Sequence, residues 1–195
     1  GYAGGYAYGI NNENQIAGFV FTSPGSVSVP FYTDSMGNIQ IVPGLSSAKA
    51  YAINNSGLVV GSVGSGTSNA WVYDGSTLTT IDTGSTVNFV SYGAVNDSGQ
   101  VVGSGGGGWI WTATGGAVGL NTLVSPDWNI TAAYSISNTG LILAAGSQNG
   151  GANEWVELSP AGTPEPGTIG LAIGGFLLCA LFARRKVRQT SASGC

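Results

Sequence analysis

The chain has 195 residues, of which 43% are hydrophobic and only 7% charged, with a formal net charge of −4. Five Trp and eight Tyr argue for a packed core and against disorder. The absence of His removes the commonest general base and metal ligand, and with it Ser-His-Asp and Cys-His catalysis.

Charge is unevenly placed. Residues 1–163 carry eight acidic residues against the single Lys49, a net of −7 that the whole-chain value hides. Such a segment cannot neutralise a row of phosphates, so nucleic acid is excluded as a partner. The other four basic residues, Arg184, Arg185, Lys186 and Arg188, cluster near the C-terminus. Before Cys179 there is no cysteine, so no disulfide is expected in residues 1–163, nor is a cysteine metal site.

In chain order, the first feature is a repeat. Tyr8-Gly9-Ile10-Asn11-Asn12 returns as Tyr51-Ala52-Ile53-Asn54-Asn55, Gly93-Ala94-Val95-Asn96-Asp97 and Tyr134-Ser135-Ile136-Ser137-Asn138, at spacings of 43, 42 and 41. Asn55-Ser56-Gly57, Asp97-Ser98-Gly99 and Asn138-Thr139-Gly140 read as turns, opened by a side chain that bonds its own backbone and closed by a glycine. Each turn leads into a second apolar stretch: 15–18, 58–61, 100–103 and 141–144. A third strand carries aromatics at Phe31-Tyr32, Trp71 to Tyr73, Trp109 to Trp111 and Trp155-Val156, and a weaker fourth lies at 39–42, 78–81 and 118–120.

Four short strands per unit of ~42 residues predict an all-β domain over residues 1–158, β-propeller-like, with an open β-solenoid or stacked-sheet array as the alternative. The fourth copy lacks a clear fourth strand before Pro160. Residues 2–7 could supply it and close a four-unit ring, or further units could precede the chain. The repeats resemble the HAF family of extracellular repeats over roughly residues 6–158. This chain departs from the family's His-Ala-Phe triplet, reading Asn69-Ala70-Trp71, Val29-Pro30-Phe31 and Asn153-Glu154-Trp155 at the matching positions.

Residues 159–166 read as a linker ending in Pro164-Glu165-Pro166, which the prolines hold extended. Residues 167–183 follow as an apolar run whose helix would span roughly 25 Å, the short end of a membrane crossing. Its anchoring side chains are Ile169, Leu171, Ile173, Phe176, Leu177, Leu178, Leu181 and Phe182. Arg184, Arg185, Lys186 and Arg188 form a basic stop, which puts residues 184–195 in the cytoplasm and residues 1–163 outside. Motif, span and basic cluster together resemble the PEP-CTERM sorting signal of Gram-negative bacteria. That resemblance implies an exosortase partner, transient anchoring in the inner membrane, and delivery to the cell surface or extracellular matrix. It also implies an export leader, so the sequence is expected to be a fragment or a trimmed form.

No cofactor, metal or active site is expected. Asp74, Asp82, Asp97, Asp127, Glu154 and Glu157 could pair as glycosidase carboxylates, but Asp74 and Asp97 sit in turns, and Glu154 and Glu157 fall on opposite sides of a strand. The run Gly105 to Gly108 lacks the Lys-Ser/Thr and helix of a phosphate loop. Tyr73 and Trp111 are the candidates for stacking on sugar rings, should their face be open; otherwise they fill the core. The reading is an exported, non-enzymatic repeat protein with a structural or adhesive role, binding neutral exopolysaccharide at most weakly. The alternative is a carbohydrate-active or glycan-binding propeller whose catalytic part lies upstream.

Overall fold

The computed structural model describes residues 2–22, 27–64, 69–85, 88–91, 93–160 and 181–186. It is all-β, built of small antiparallel sheets of which none closes on itself. The first sheet holds β1 (Tyr2–Ile10), β2 (Ile16–Thr22), β3 (Val27–Thr33) and β4 (Ile39–Ile41). The second holds β5 (Ala48–Ile53), β6 (Val59–Val63), β7 (Asn69–Tyr73) and β8 (Leu78–Thr80). The third has three strands, β9 (Val101–Ser104), β10 (Gly108–Thr112) and β11 (Gly116–Gly119). The fourth holds β12 (Trp128–Ile136), β13 (Ile142–Gln148), β14 (Glu154–Pro160) and β15 (Leu181–Lys186). Each sheet is one copy of the repeat, units 1 to 4.

The turn between the first two strands folds alike in every unit. The ladder closes across Asn11 N to Gln15 O, Asn54 N to Leu58 O, Asn96 N to Gln100 O and Ser137 N to Leu141 O, at 2.9–3.1 Å. Positive φ is required three residues after each Asn or Ser, and Gly57, Gly99 and Gly140 supply it; in unit 1 Asn14 takes the same conformation at φ 59°. In unit 3 the expected first strand is reduced to two isolated bridges, Phe89 to Ser104 and Val95 to Val101.

In units 1 to 3 one face carries the large aromatic. Phe31 pairs with Gly18, Trp71 with Gly61 and Trp109 with Gly103, so each ring lies over a glycine on the neighbouring strand. A Cβ on Gly61 would sit 2.3 Å from Trp71 Cζ2, and one on Gly103 at 2.3 Å from Trp109 Cζ2. Unit 4 pairs Ala144 with Val156 instead, a larger residue under a smaller one. The indole N–H groups of Trp71 and Trp109 are buried without a partner, so these rings are chosen for shape rather than for hydrogen bonding. This "back" face of unit 2 packs on the "front" of unit 1, where Trp71, Tyr73, Ile53 and Val59 meet Ala17 and Tyr32. A second apolar cluster joins the front of unit 2 (Ala52, Val60, Val72) to units 3 and 4.

Three expectations need correction. Trp155 does not occupy the place of Trp71: it pairs with Ala145, one residue out of step, and so points to the front of unit 4 with 43% of its surface exposed. Residues 2–7 do not complete unit 4, because they belong to β1 and pair with β2. The fourth strand of unit 4 is β15, in register with β14 through Leu158 to Ala183 and Ser159 to Phe182. Residues 181–183, expected at the end of a membrane helix, are therefore extended. The edge of β14 offers unpaired backbone groups that a strand satisfies, whereas the glycine-rich run before it favours helix weakly. Among the described residues no helix is long and apolar enough to cross a membrane. Residues 167–180 lie outside the described residues.

Candidate functional site

The recurring Asn does more than open its turn. Asn11 Oδ1 accepts from Glu13 N and Gln15 N, and Asn54 Oδ1 from Ser56 N and Leu58 N, the bonds expected of such a turn. The other end of each amide reaches into the next unit: Asn11 Nδ2 donates to Asn54 O at 2.9 Å, Asn54 Nδ2 to Asn96 O at 2.9 Å, and Asn96 Nδ2 to Ser137 O at 3.1 Å. A parallel column runs beside it. Asn12 N donates to Asn55 Oδ1, Asn55 N to Asp97 Oδ1 and Asp97 N to Asn138 Oδ1, all at 2.8–2.9 Å. In both columns units 1, 2 and 3 each donate to the unit after them.

The ladder ends at unit 4. Ser137 Oγ still accepts from Leu141 N at 3.1 Å, as the Asn side chains do in their turns, but serine has no amide to pass onward. Two serine hydroxyls make further joints deeper in the stack. Ser62 Oγ accepts from Val90 N at 3.1 Å, and Ser104 Oγ accepts from Ala133 N at 3.2 Å. Asn11, Asn54, Asn96, Ser62 and Ser104 are all buried. Buried polar groups must be paired to be tolerated, and here the partners lie in the adjoining unit.

The carboxylates are engaged as acceptors. Asp97 Oδ2 takes Asn55 Nδ2 at 2.7 Å and Asn138 Nδ2 at 2.6 Å, and the donated bonds, led by Asn55 N–H, hold its carboxyl below the usual range. Asp74 is lowered chiefly by the backbone N–H groups of Thr77 and Ser76 in its turn. Asp34 is lowered by Asn38 first, and Asp127 by Ser125 and Gln148. A carboxylate held ionised is unsuited to act as a general acid at neutral pH. Asp82 accepts from Gly84 N in a further turn, and Glu154 and Glu157 do face opposite sides of β14, paired with Gly146 and Leu143. Among the described residues no group of three or more His, Cys, Asp or Glu could hold a metal.

The proposed sugar-stacking residues offer no open ring face. Tyr73 and Trp111 are both buried in the apolar clusters, and Tyr73 lies 5.9 Å from Tyr32 of the unit before, with burial raising the Tyr32 phenol above its ordinary value. The run Gly105 to Gly107 is the turn joining β9 to β10, closed by Gly105 N to Gly107 O. The exposed aromatics are others, Tyr2, Tyr6, Phe89 and Trp155 among them, and the Trp155 ring lies 5.0 Å from that of Tyr134. Of the tail, Pro164, Glu165, Pro166, Ile169, Leu171, Ile173, Phe176, Leu177, Leu178 and Arg188 lie outside the described residues, while Leu181, Phe182, Arg184, Arg185 and Lys186 fall in β15.

Asn55, Asp97 and Asn138, expected to open the turns, are not the residues that bond them: the residue before each, Asn54, Asn96 or Ser137, does so. Asn55, Asp97 and Asn138 instead accept the preceding unit's N–H, and the amide bond of Asn54 and Asn96 into the next unit was not foreseen. The signal was present, since Asn recurs at 43 and 42 residues and changes to Ser only in the last copy. Fold and ladder together define an all-β protein of serially joined repeat units. No family model matches the chain, and neither a curated protein nor a solved structure is similar to it.

Proposed function

We propose that the chain is an exported, non-enzymatic repeat scaffold with a structural or adhesive role at the cell surface or in the extracellular matrix, its blade-like units strung in an open series. The observation that carries this reading is the use made of its buried polar side chains. Among the described residues Asn11, Asn54, Asn96, Ser62 and Ser104 all bond the neighbouring unit. A domain whose polar chemistry is spent on joining its parts is built to persist as an object. Purified protein incubated with chromogenic glycosides and esters should give no turnover above buffer, and measurable turnover would remove the reading.

Routing is assigned to residues 164–188, as a PEP-CTERM signal processed by an exosortase in the inner membrane. Its support is the sequence order of motif, apolar run and basic cluster. Replacing Pro164, Glu165 and Pro166 by Ala should leave the protein at full mass in the membrane fraction. Normal processing and location of that variant would rule the signal out.

A second reading, weak binding of neutral glycans, is favoured by the exposed Trp155 beside Tyr134 on the front of unit 4. On a glycan array Trp155→Ala should abolish whatever signal the parent chain gives, while Trp111→Phe, altering a core ring, should keep it.

A further inference from the structure

Each sheet has one row of side chains crossing its back face at the turn end. In unit 2 the row is Ile53, Val59, Tyr73 and Leu78; in unit 3 it is Val95, Val101, Trp111 and Ala117; in unit 4 it begins Ile136, Ile142 and Leu158. The leading residues of these rows, Ile53, Val95 and Ile136, are only 6%, 9% and 5% exposed. In unit 1 the corresponding row runs from Ile10 through Ile16 and Thr33 to Ile39, and Ile10 is 67% and Ile39 50% exposed. Further along the same face Val20 and Phe31 are covered, while Ala7 and, at the far end, Val27 are exposed.

The ladder is incomplete at the same place. Asn54 O, Asn96 O and Ser137 O each accept two donors, one from their own turn and one from the unit before. Asn11 O accepts only Asn14 N among the described residues. In the second column Asn55, Asp97 and Asn138 each accept the preceding unit's N–H, whereas the Asn12 side chain accepts none among the described residues. An apolar row and two hydrogen-bond acceptors thus stand together, both of the kind that a preceding unit satisfies elsewhere in the molecule.

We infer that the turn end of unit 1 is a docking surface for one more unit of this same repeat, stacked one ladder step ahead of it. The occupant must bring an Asn amide N–H for Asn11 O, a backbone N–H for the Asn12 side-chain carbonyl, and an apolar front such as Ala17 and Tyr32 of unit 1 or Ala52, Val60 and Val72 of unit 2. A second copy of this chain does not meet those terms. Its own open end offers acceptors to acceptors, and the front of its unit 4 has Ser137 for the Asn, with Ser135, the exposed Leu143 and Glu157 where unit 2 has Ala52, Val60 and Val72.

The test is a tandem duplication in the full chain, placing a second copy of residues 5–47 between Gly4 and Gly5 so that the natural step from Ser47 to the next unit is reused. The five-unit chain should remain monomeric and melt at least ~3 °C above the parent. Ile10→Asp should leave the parent's midpoint nearly unchanged, but in the inner copy of the five-unit chain it should cancel the gain. Asn11→Ser in the added copy alone, which keeps a turn acceptor as Ser137 does, should remove part of that gain. An added unit that exchanges its amide hydrogens as fast as an unfolded chain, or an Ile10→Asp effect equal in both proteins, would overturn the inference. So would a parent chain that sediments as a dimer and is returned to monomer by Ile10→Asp, since that places a second copy on the surface.

Discussion

Asn54 shows how one side chain serves two levels of structure. Its oxygen completes its own turn through Ser56 N and Leu58 N, and its amide fastens unit 2 to unit 3 through Asn96 O. Because the residue is buried, Asn54→Ala strands turn N–H groups and should cost about 2–3 kcal/mol in denaturant unfolding. Asn54→Ser retains a turn acceptor, as Ser137 does, and should cost only about 1 kcal/mol. An Asn54→Ser variant as stable as the parent would show that the amide bond to Asn96 adds nothing, and equal losses for the two substitutions would show that the turn acceptor adds nothing. The aspartates make the acid side of the stability curve. Asp34, Asp74, Asp97 and Asp127 have folded values held down by donated hydrogen bonds, so their stabilisation is complete above about pH 4 and is lost as pH falls through those lower values. The melting temperature should be level from about pH 5 upward and drop below about pH 4, and Asp97→Asn should make the drop shallower. A midpoint that rises on acidification would contradict this assignment.

At the level of elements, the pairing of an aromatic with a glycine fixes how closely adjacent strands fit. Gly61→Ala would bring a Cβ to 2.1 Å from Lys49 O as well as into the Trp71 ring, and should cost at least about 2 kcal/mol. Unit 4 solves the same position with Ala144 and Val156. Gly61→Ala combined with Trp71→Val should therefore be less damaging than the sum of the two changes, by a coupling of about 1 kcal/mol in a double-mutant cycle. The second, third and fourth strands of most units were legible from alternation and turn residues, because those strands are regular. The first strands were harder. Irregularities between Ala7 and Gly9, Ala50 and Ala52, and Ala133 and Ser135 break the period of two near Tyr8, Tyr51 and Tyr134. Trp155 was misplaced for a related reason: a slip of one residue in matching the copies transfers a side chain to the other face. Its partner Ala145 was visible in the sequence, but which residue it opposed was not.

In the whole molecule, the fourfold recurrence revealed the all-β class and unit size, while the direction of the ladder and the pairing of β15 with β14 depend on contacts between segments that no local pattern encodes. Lys49, the only basic residue in 1–163, lies 4.9 Å over the ring of Phe19, so the stack is held by apolar packing and hydrogen bonds, those to Asp97 charge-assisted, rather than by ion pairs with that lysine. The same Asn ladder bond recurs at each joint. Excising residues 48–89 brings Ser47 to Val90 one repeat step later and lets Asn11 face Asn96 O in place of Asn54 O. The shortened chain should still fold cooperatively with a lower melting temperature, and circular dichroism showing loss of its strand signal would refute that expectation. The single joint that cannot be copied is the one after Ser137, where the donor column ends. The chain's length is thus adjustable in steps of about 42 residues anywhere ahead of its last unit, as links are added to or taken from a chain whose clasp stays fixed.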